Sequence, residues 1–307
     1  MTKPKKDLGA SVQARLRNLA KQRGDDVQLV LTQFVLERLL HRLSMSPCRR
    51  DFVLKGAMLF AVWTKIPHRA THDIDLLGRG SPELARLAEV FRGVCRIEVA
   101  QDGVLFDADS VQAGRIREDQ MYEGVRVTLA ARLGSARVGV QIDIGFGDAV
   151  HPEPAEITFP SLLDLPESRL FAYPRETVVA EKFHAMATLG LLNSRMKDFY
   201  DLFVLESGFA FDGPTLAEAI RGTFARRQSV LTATMPVALQ DEFANSPDKK
   251  VQWSAFLRRN RLGDGGLTLG AVVMGLRGFP WSVVRGILGE QPLPASWPAG
   301  GPWMANA

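Results

Sequence analysis

The sequence predicts an α+β fold, a mixed sheet with flanking helices followed by a helical C-terminal domain. Three observations carry that prediction. Val125 to Leu133 and Ala136 to Ile144 alternate apolar and polar residues around Gly134-Ser135, the pattern of a two-residue β-hairpin. Phe52 to Leu54, Lys55-Gly56 and Ala57 to Trp63 read as strand, turn and short apolar helix, and a second strand with alternating faces follows near Asp73. Beyond Pro174, apolar residues recur mostly at helical spacing.

Taken in order, helices are expected over 9–22 and 26–45, the second with an apolar stripe through Leu29, Val30, Gln33, Phe34, Leu36, Leu40 and Leu43. These form an N-terminal segment, residues 1–50, packed on an αβ core over 51–170. Within the core a helix runs from Pro82 to Arg92, with strands near 95–100, 104–108, 124–132 and 136–144. Leu162 to Tyr173 reads as a link to a helical domain over 171–290, with helices at 174–190, 194–206, 214–228, 236–244, 248–260 and 267–289. The Pro-, Gly- and Ala-rich segment 291–307 is expected to be a flexible, poorly packed tail.

The chemistry centres on Asp73-Ile74-Asp75. Strand side chains alternate, so both carboxylates share a face while Ile74 and Leu76 enter the opposite layer. Paired acids on a mostly buried strand repel one another and resist desolvation. A divalent cation relieves both penalties, and Mg²⁺ favours one or two carboxylates plus substrate phosphates. An arbitrary Asp-x-Asp is more simply an acidic strand end, but this one has company. About twenty residues upstream, Lys55-Gly56-Ala57 forms a turn whose glycine admits a ligand close to the backbone, and whose helix start offers N–H groups to phosphate oxygens. Arg69 and Thr71 just before the acids add a cation and a hydroxyl, although Arg69 could instead lock Asp75 in a structural ion pair. Asp143, near the end of its strand, is either a third metal ligand or a solvated strand residue.

Further on, Lys182 interrupts a helical stripe of Val178, Val179, Ala185, Met186 and Leu189. A lysine there needs a partner for its ammonium or a path to water. In the next helix Asp198, Asp201, Leu202 and Leu205 share a face. Asp201 could cap that helix or pair with Arg195 or Lys197, and Asp148 reads as a turn residue.

Lys55-Gly56-Ala57 followed by Arg69-Ala70-Thr71-His72-Asp73-Ile74-Asp75-Leu76 resembles the first motif of the AbiEii/AbiGii toxin family, nucleotidyltransferases of the polymerase-β-like superfamily. Tyr173-Pro174-Arg175-Glu176-Thr177-Val178-Val179-Ala180-Glu181-Lys182 resembles the family's helix with its nucleotide-binding lysine. Ser194-Arg195-Met196-Lys197-Asp198-Phe199-Tyr200-Asp201-Leu202 resembles its Arg-x-Lys-Asp-x-x-Asp-Leu motif. The likeness spans roughly residues 25 to 210. It departs at Ala57, where the family usually has a second small polar residue or glycine. The resemblance implies a polymerase-β-like core and an active site completed by the helical domain. It makes Asp73, Asp75, Lys182 and Asp198 catalytic, and Lys55, Gly56, Ala57, Arg69, Thr71 and Lys182 nucleotide-binding. Asp73, Asp75 and Asp143 would bind Mg²⁺, with Mn²⁺ as an alternative. It further implies a toxin whose MenT-type relatives add nucleotides to the 3′ end of tRNA, held in check by a winged-helix antitoxin encoded nearby.

Composition excludes several other classes. The 307 residues, 46% of them hydrophobic, suffice for two packed domains. Cys48 and Cys95 fit no metal spacing and suit a reducing compartment, so a cytoplasmic protein is expected. The basic start Met1-Thr2-Lys3-Pro4-Lys5-Lys6 lacks the apolar core of a signal peptide, and no apolar run reaches membrane length. The five histidines form no zinc-protease pattern, no Walker loop or Gly-x-Ser-x-Gly occurs, and Gly263-Asp264-Gly265-Gly266 reads as a flexible turn. A net charge of +4 hints at an anionic partner. Cations at Arg221, Arg226, Arg227, Lys249, Lys250, Arg258, Arg259 and Arg261 form either solvated helical faces or a surface that tracks RNA phosphates. Two rivals stand beside the tRNA reading: a transferase acting on a protein or small-molecule hydroxyl, and a non-catalytic protein that binds a nucleotide or an antitoxin.

Overall fold

The computed structural model describes residues 8–64, 69–99, 102–116, 124–263 and 266–305. The basic start, His68 and the middle of the Gly263–Gly266 turn lie outside them. The chain divides into two compact units, Met1–Gly147 with Ala155–Ala172, and Asp148–Pro154 with Tyr173–Ala307.

The first unit opens with α1 (Leu8–Arg23) and α2 (Val27–Met45), the latter capped where the Asp26 side chain accepts from the Leu29 N–H. Strand β1 (Phe52–Lys55) leads through a 3₁₀ turn, Gly56–Met58, into α3 (Leu59–Thr64) and then β2 (Asp73–Gly78). After α4 (Leu84–Cys95) come β3 (Val104–Ile116), β4 (Gly124–Leu133), β5 (Ala136–Phe146), β6 (Ala155–Phe159) and β7 (Ser168–Ala172). They form one sheet in the order β3-β4-β5-β2-β1-β7-β6. β2 runs parallel to β5 and β1 parallel to β7, while the remaining pairs are antiparallel. The mixed sheet with flanking helices is thus the expected architecture.

Helix α2 packs on β5 and β7, and α4 on β3, so the inward residues of these strands meet an apolar layer. Leu36, Leu39 and Leu40 of α2 are buried with Ile74, Leu76, Val140 and Ile142 of the sheet. Each such side chain contributes roughly 1.5–3 kcal/mol by leaving water. The same helix buries charge, which requires pairing. Arg42 donates to both oxygens of buried Asp102, at 2.6 and 3.2 Å, tying α2 to the entry of β3.

Several sequence expectations are corrected. Residues 95–99 are not a strand, because α4 continues to Cys95 and a turn follows. β3 extends far beyond 108, to Ile116. Its register with β4 shifts between Asp107 and Gln112, which breaks the alternation that would have revealed its length. The presumed link 162–173 contains β7, a five-residue strand parallel to β1, too short for its periodicity to stand out.

The second unit is mainly helical: α5 (Arg175–Leu189), α6 (Met196–Gly208), α7 (Gly213–Arg226), α8 (Asp241–Asn245), α9 (Pro247–Arg259), α10 (Leu269–Gly278) and α11 (Pro280–Ile287). The single helix expected over 267–289 is two, since Pro280 has no N–H to continue α10 and instead starts α11. The stretch 236–244 is a 3₁₀ turn, Val237–Leu239, followed by the short α8. The tail over 291–305 is packed rather than loose. Its strand β9 (Ser296–Trp297) pairs with β8 (Phe211–Asp212), Trp297 is buried, and Trp303 stacks on Phe279 at 5.9 Å. Two tryptophans anchor a segment whose Pro and Gly content reads as slack. Glu206 of α6 is also buried; its backbone oxygen accepts from the Trp297 indole, and its carboxylate lies against Gly275 of α10.

Candidate active site

Strand β2 carries Asp73 and Asp75 half-buried on one face, while Ile74 and Leu76 point into the core at 1% exposure each. Alternation along a strand requires this division. Because β2 is parallel to β5, Asp75 stands opposite Asp143 and Asp73 opposite Gln141. One oxygen from each of Asp73, Asp75 and Asp143 lies within 4.8 Å of the other two. Three carboxylates, with no histidine or cysteine among them, make an oxygen-only donor set that suits a hard divalent cation.

Each acid has a neighbour that orients it. Thr71 Oγ1 donates to Asp73 Oδ1 at 2.8 Å, so the hydroxyl expected to face phosphate is engaged with the carboxylate. Asp143 receives Arg126 Nε and Nη2 at 2.8 Å each and the Gln141 amide at 3.2 Å. Asp75 packs directly against the backbone of Gly56. A Cβ there would stand 2.7 Å from Asp75 Cγ and closer still to Oδ2, and Gly56 has φ +75°. Only glycine meets both demands. Lys55 is opposite Asp75 across the antiparallel β1–β2 pair, and Arg69 donates to the Ala70 carbonyl at 3.3 Å. The turn opens as a 3₁₀ segment through Ala57, not as the α-helix expected from that residue.

A cleft lies beside the turn, lined by Ala57, Arg69 and Thr71 together with Gln33, Glu37 and Ser161. Glu37 accepts from Ser161 Oγ at 2.7 Å and the Leu162 N–H at 2.8 Å. Burial pushes its carboxyl pKa up, more than Arg38 beside it pulls it down.

In the second unit, Lys182 meets two partners rather than snorkelling to water. Its ammonium lies 2.6 Å from Asp198 Oδ1 and 2.8 Å from Asp201 Oδ2, and both acids are fully buried. Arg195 Nε adds an ion pair to Asp198 Oδ2 at 2.7 Å. Burial would raise the Asp198 pKa, but Lys182 and Arg195 outweigh it and hold the carboxyl below its ordinary value. Asp201 therefore pairs with Lys182, a partner that the sequence reading, which allowed it to cap or to pair with Arg195 or Lys197, did not name. Asp148 is more than a turn residue: its carboxylate accepts from the Tyr173 hydroxyl at 2.8 Å.

Sequence reasoning missed Arg126 and Gln141. The two-residue hairpin turn contained the signal, because pairing outward from Gly134-Ser135 sets Arg126 opposite Asp143.

A strand-turn-helix unit placed beside three converging carboxylates on a mixed sheet is the arrangement of a nucleotidyltransferase. The family described as nucleotidyl transferase AbiEii toxin, type IV TA system, matches residues 38–265. The chain belongs to this AbiEii family, so it is a nucleotidyltransferase of a type IV toxin–antitoxin system. That membership implies a nucleoside triphosphate substrate and an antitoxin partner. Among curated proteins, none matches the chain. The crystal structure of JHP933 from Helicobacter pylori is similar in fold, with 13% identity, a TM-score of 0.51, and coverage of 86% of this chain and 95% of that one. A second H. pylori crystal structure, of a candidate nucleotidyltransferase, has 13% identity and a TM-score of 0.49 over 87% of this chain and 99% of that one. No helix among the described residues is long and apolar enough to cross a membrane.

Proposed function

We propose that this enzyme transfers a nucleoside monophosphate from a nucleoside triphosphate to the 3′ end of tRNA, and that this transfer is the toxic activity. The observation that carries the proposal is the convergence of Asp73, Asp75 and Asp143 oxygens within 4.8 Å beside the Gly56 turn. Asp73, Asp75 and Asp143 would hold Mg²⁺, or Mn²⁺ in its place. Such an ion, when bound, supplies charge that polarises phosphate oxygens and stabilises the departing pyrophosphate.

The chain's own groups do the rest. The backbone of Gly56 and Ala57, with Lys55 and Arg69, receives the triphosphate, and the neighbouring cleft takes the nucleoside. Thr71 and Gln141 fix the orientation of Asp73 and Asp143 through the hydrogen bonds described. An acceptor hydroxyl oxygen bonds to the α-phosphorus as the bond to pyrophosphate breaks, and its proton passes to a carboxylate of the triad. On the strength of its motif, Lys182 is assigned to the triphosphate, with Asp198 positioning its ammonium. The antitoxin is proposed to be a winged-helix protein, and the site of action the cytoplasm.

The test is incubation with tRNA, Mg²⁺ and each labelled nucleoside triphosphate in turn. Label should enter RNA with the native enzyme and not with Asp73→Ala, and expression of that variant should no longer arrest growth. Label found on protein or on a small molecule would redirect the acceptor. No transfer with any nucleotide or RNA pool, together with unchanged toxicity of Asp73→Ala, would leave only a binding role.

A further inference from the structure

The carboxylate triad sits at one end of an open sheet face. The other face of β4 and β5 is buried, but Arg126, Thr128, Ala130 and Arg132 of β4 are exposed, as are Arg137 and Gly139 of β5. The register lines them up in rows across the antiparallel pair, with Asp143 opposite Arg126, Gln141 opposite Thr128, Gly139 opposite Ala130 and Arg137 opposite Arg132. Between the triad and the last row the side chains are small. A Cβ added at Gly139, or at Gly114 beside Arg126 on β3, would meet nothing within 4 Å.

The far row is unusual. Arg132 and Arg137 face one another directly, and among the described residues neither guanidinium has a hydrogen bond or ion pair. Like charges directly opposite on a sheet destabilise it. An anion lying between the two guanidinium groups would turn that repulsion into two charge-assisted contacts, for which arginine geometry suits phosphate. From Arg137 to Asp143 the strand advances six residues, about 20 Å at ~3.3 Å per residue.

We propose that this face is the track for the acceptor, a single-stranded RNA 3′ end. Its last hydroxyl lies at the triad and an upstream phosphodiester sits between Arg132 and Arg137. The inference rests on the RNA-acceptor reading above. The track leads straight to the acids, and a chain whose terminal hydroxyl reacts must approach them. Among the described residues it carries no aromatic side chain for base stacking, so it reads backbone charge and tolerates any sequence. Asp107, opposite Ala130 on β3, bounds the face on its outer side.

The test compares the native enzyme with Arg132→Gln/Arg137→Gln in RNA labelling across a range of RNA and salt concentrations. The variant should show an RNA KM raised about tenfold, an unchanged kcat at saturating RNA, and an unchanged KM for the nucleotide. Its dependence of log KM on log salt should be shallower by about 0.7, for one phosphate of a single strand no longer neutralised. Its melting temperature without RNA should equal or exceed that of the native enzyme. The lysine pair Arg132→Lys/Arg137→Lys should recover most of the salt slope. A native enzyme that labels no RNA overturns the acceptor reading itself. A native enzyme that labels RNA, beside a variant with the same RNA KM and salt slope, overturns the track alone and leaves the arginine pair to an acidic protein partner.

Discussion

The Arg126 guanidinium meets the Asp143 carboxylate edge-on, with Nε 2.8 Å from Oδ1 and Nη2 2.8 Å from Oδ2. Both oxygens of the third acid are thereby engaged by a side chain that a divalent cation must compete with. The pair is partly exposed, so its worth is that of a surface ion pair, about 0.2–1 kcal/mol. Arg126→Ala should tighten Mn²⁺ binding by up to about fivefold in a calorimetric or paramagnetic titration. Equal affinity in the two proteins would show that the arginine does not oppose the metal.

Gly56→Ala tests the contact between the turn and Asp75. The new methyl meets the carboxylate, and the positive φ is unfavourable for alanine. A loss of about 1–3 kcal/mol in stability is expected. Nucleotidyl transfer should fall at least about a hundredfold, because displacing a ligand by 1 Å costs that much. Normal transfer by a protein with a lowered melting point would separate the strain from the chemistry.

Removing Lys182 should be severe for reasons that precede catalysis. Lys182→Met removes the ammonium that buried Asp198 and Asp201 share, at a cost of about 3–5 kcal/mol. Adding Asp198→Asn and Asp201→Asn should restore much of the melting temperature. If the lysine also meets the nucleotide, activity will stay lost in that triple variant. Acid should act through the same cluster. The Asp198 pKa is lower folded than unfolded, so its contribution is fully present above the ordinary carboxylate value of 3.8 and disappears as pH falls through the folded value. Denaturant titrations of the native protein below pH 4 should show that loss, and Asp198→Asn should flatten it.

Glu206 predicts the opposite slope. Burial raises its carboxyl pKa from 4.5 to about 8. Below 4.5 both folded and unfolded chains hold the proton, and there is no penalty. As pH rises from there toward about 8, the unfolded chain releases the proton and the folded one retains it, so stability declines. Glu206→Gln should remove the decline, matching the native protein at pH 4 and melting higher at pH 8. Parallel stability curves for the two proteins between those values would contradict the assignment.

What the sequence reveals here is mostly local. Asp73 and Asp75 share a face because strands alternate, and Gly56 is recognisable as a turn glycine before any contact is known. Lys182 in an apolar stripe announces that it needs a partner, but only the packing of α5 on α6 shows that both Asp198 and Asp201 supply it. Short elements are the least legible. β6 and β7 are five residues each and follow Pro- and acid-rich connections, so no period emerges from them. The tail misleads because composition counts its prolines and glycines, while its order comes from where Trp297 and Trp303 land.

The Gly134-Ser135 turn has an influence far larger than its size. It is remote from the acids, yet it alone dictates which residues of β4 and β5 become neighbours. Slipping one strand by a single residue would rotate Asp143 into the apolar layer and bring Ile142 or Ile144 out in its place. An insertion of one residue at this distant corner should therefore silence the enzyme as surely as deleting an acid, without altering a single atom of the catalytic residues.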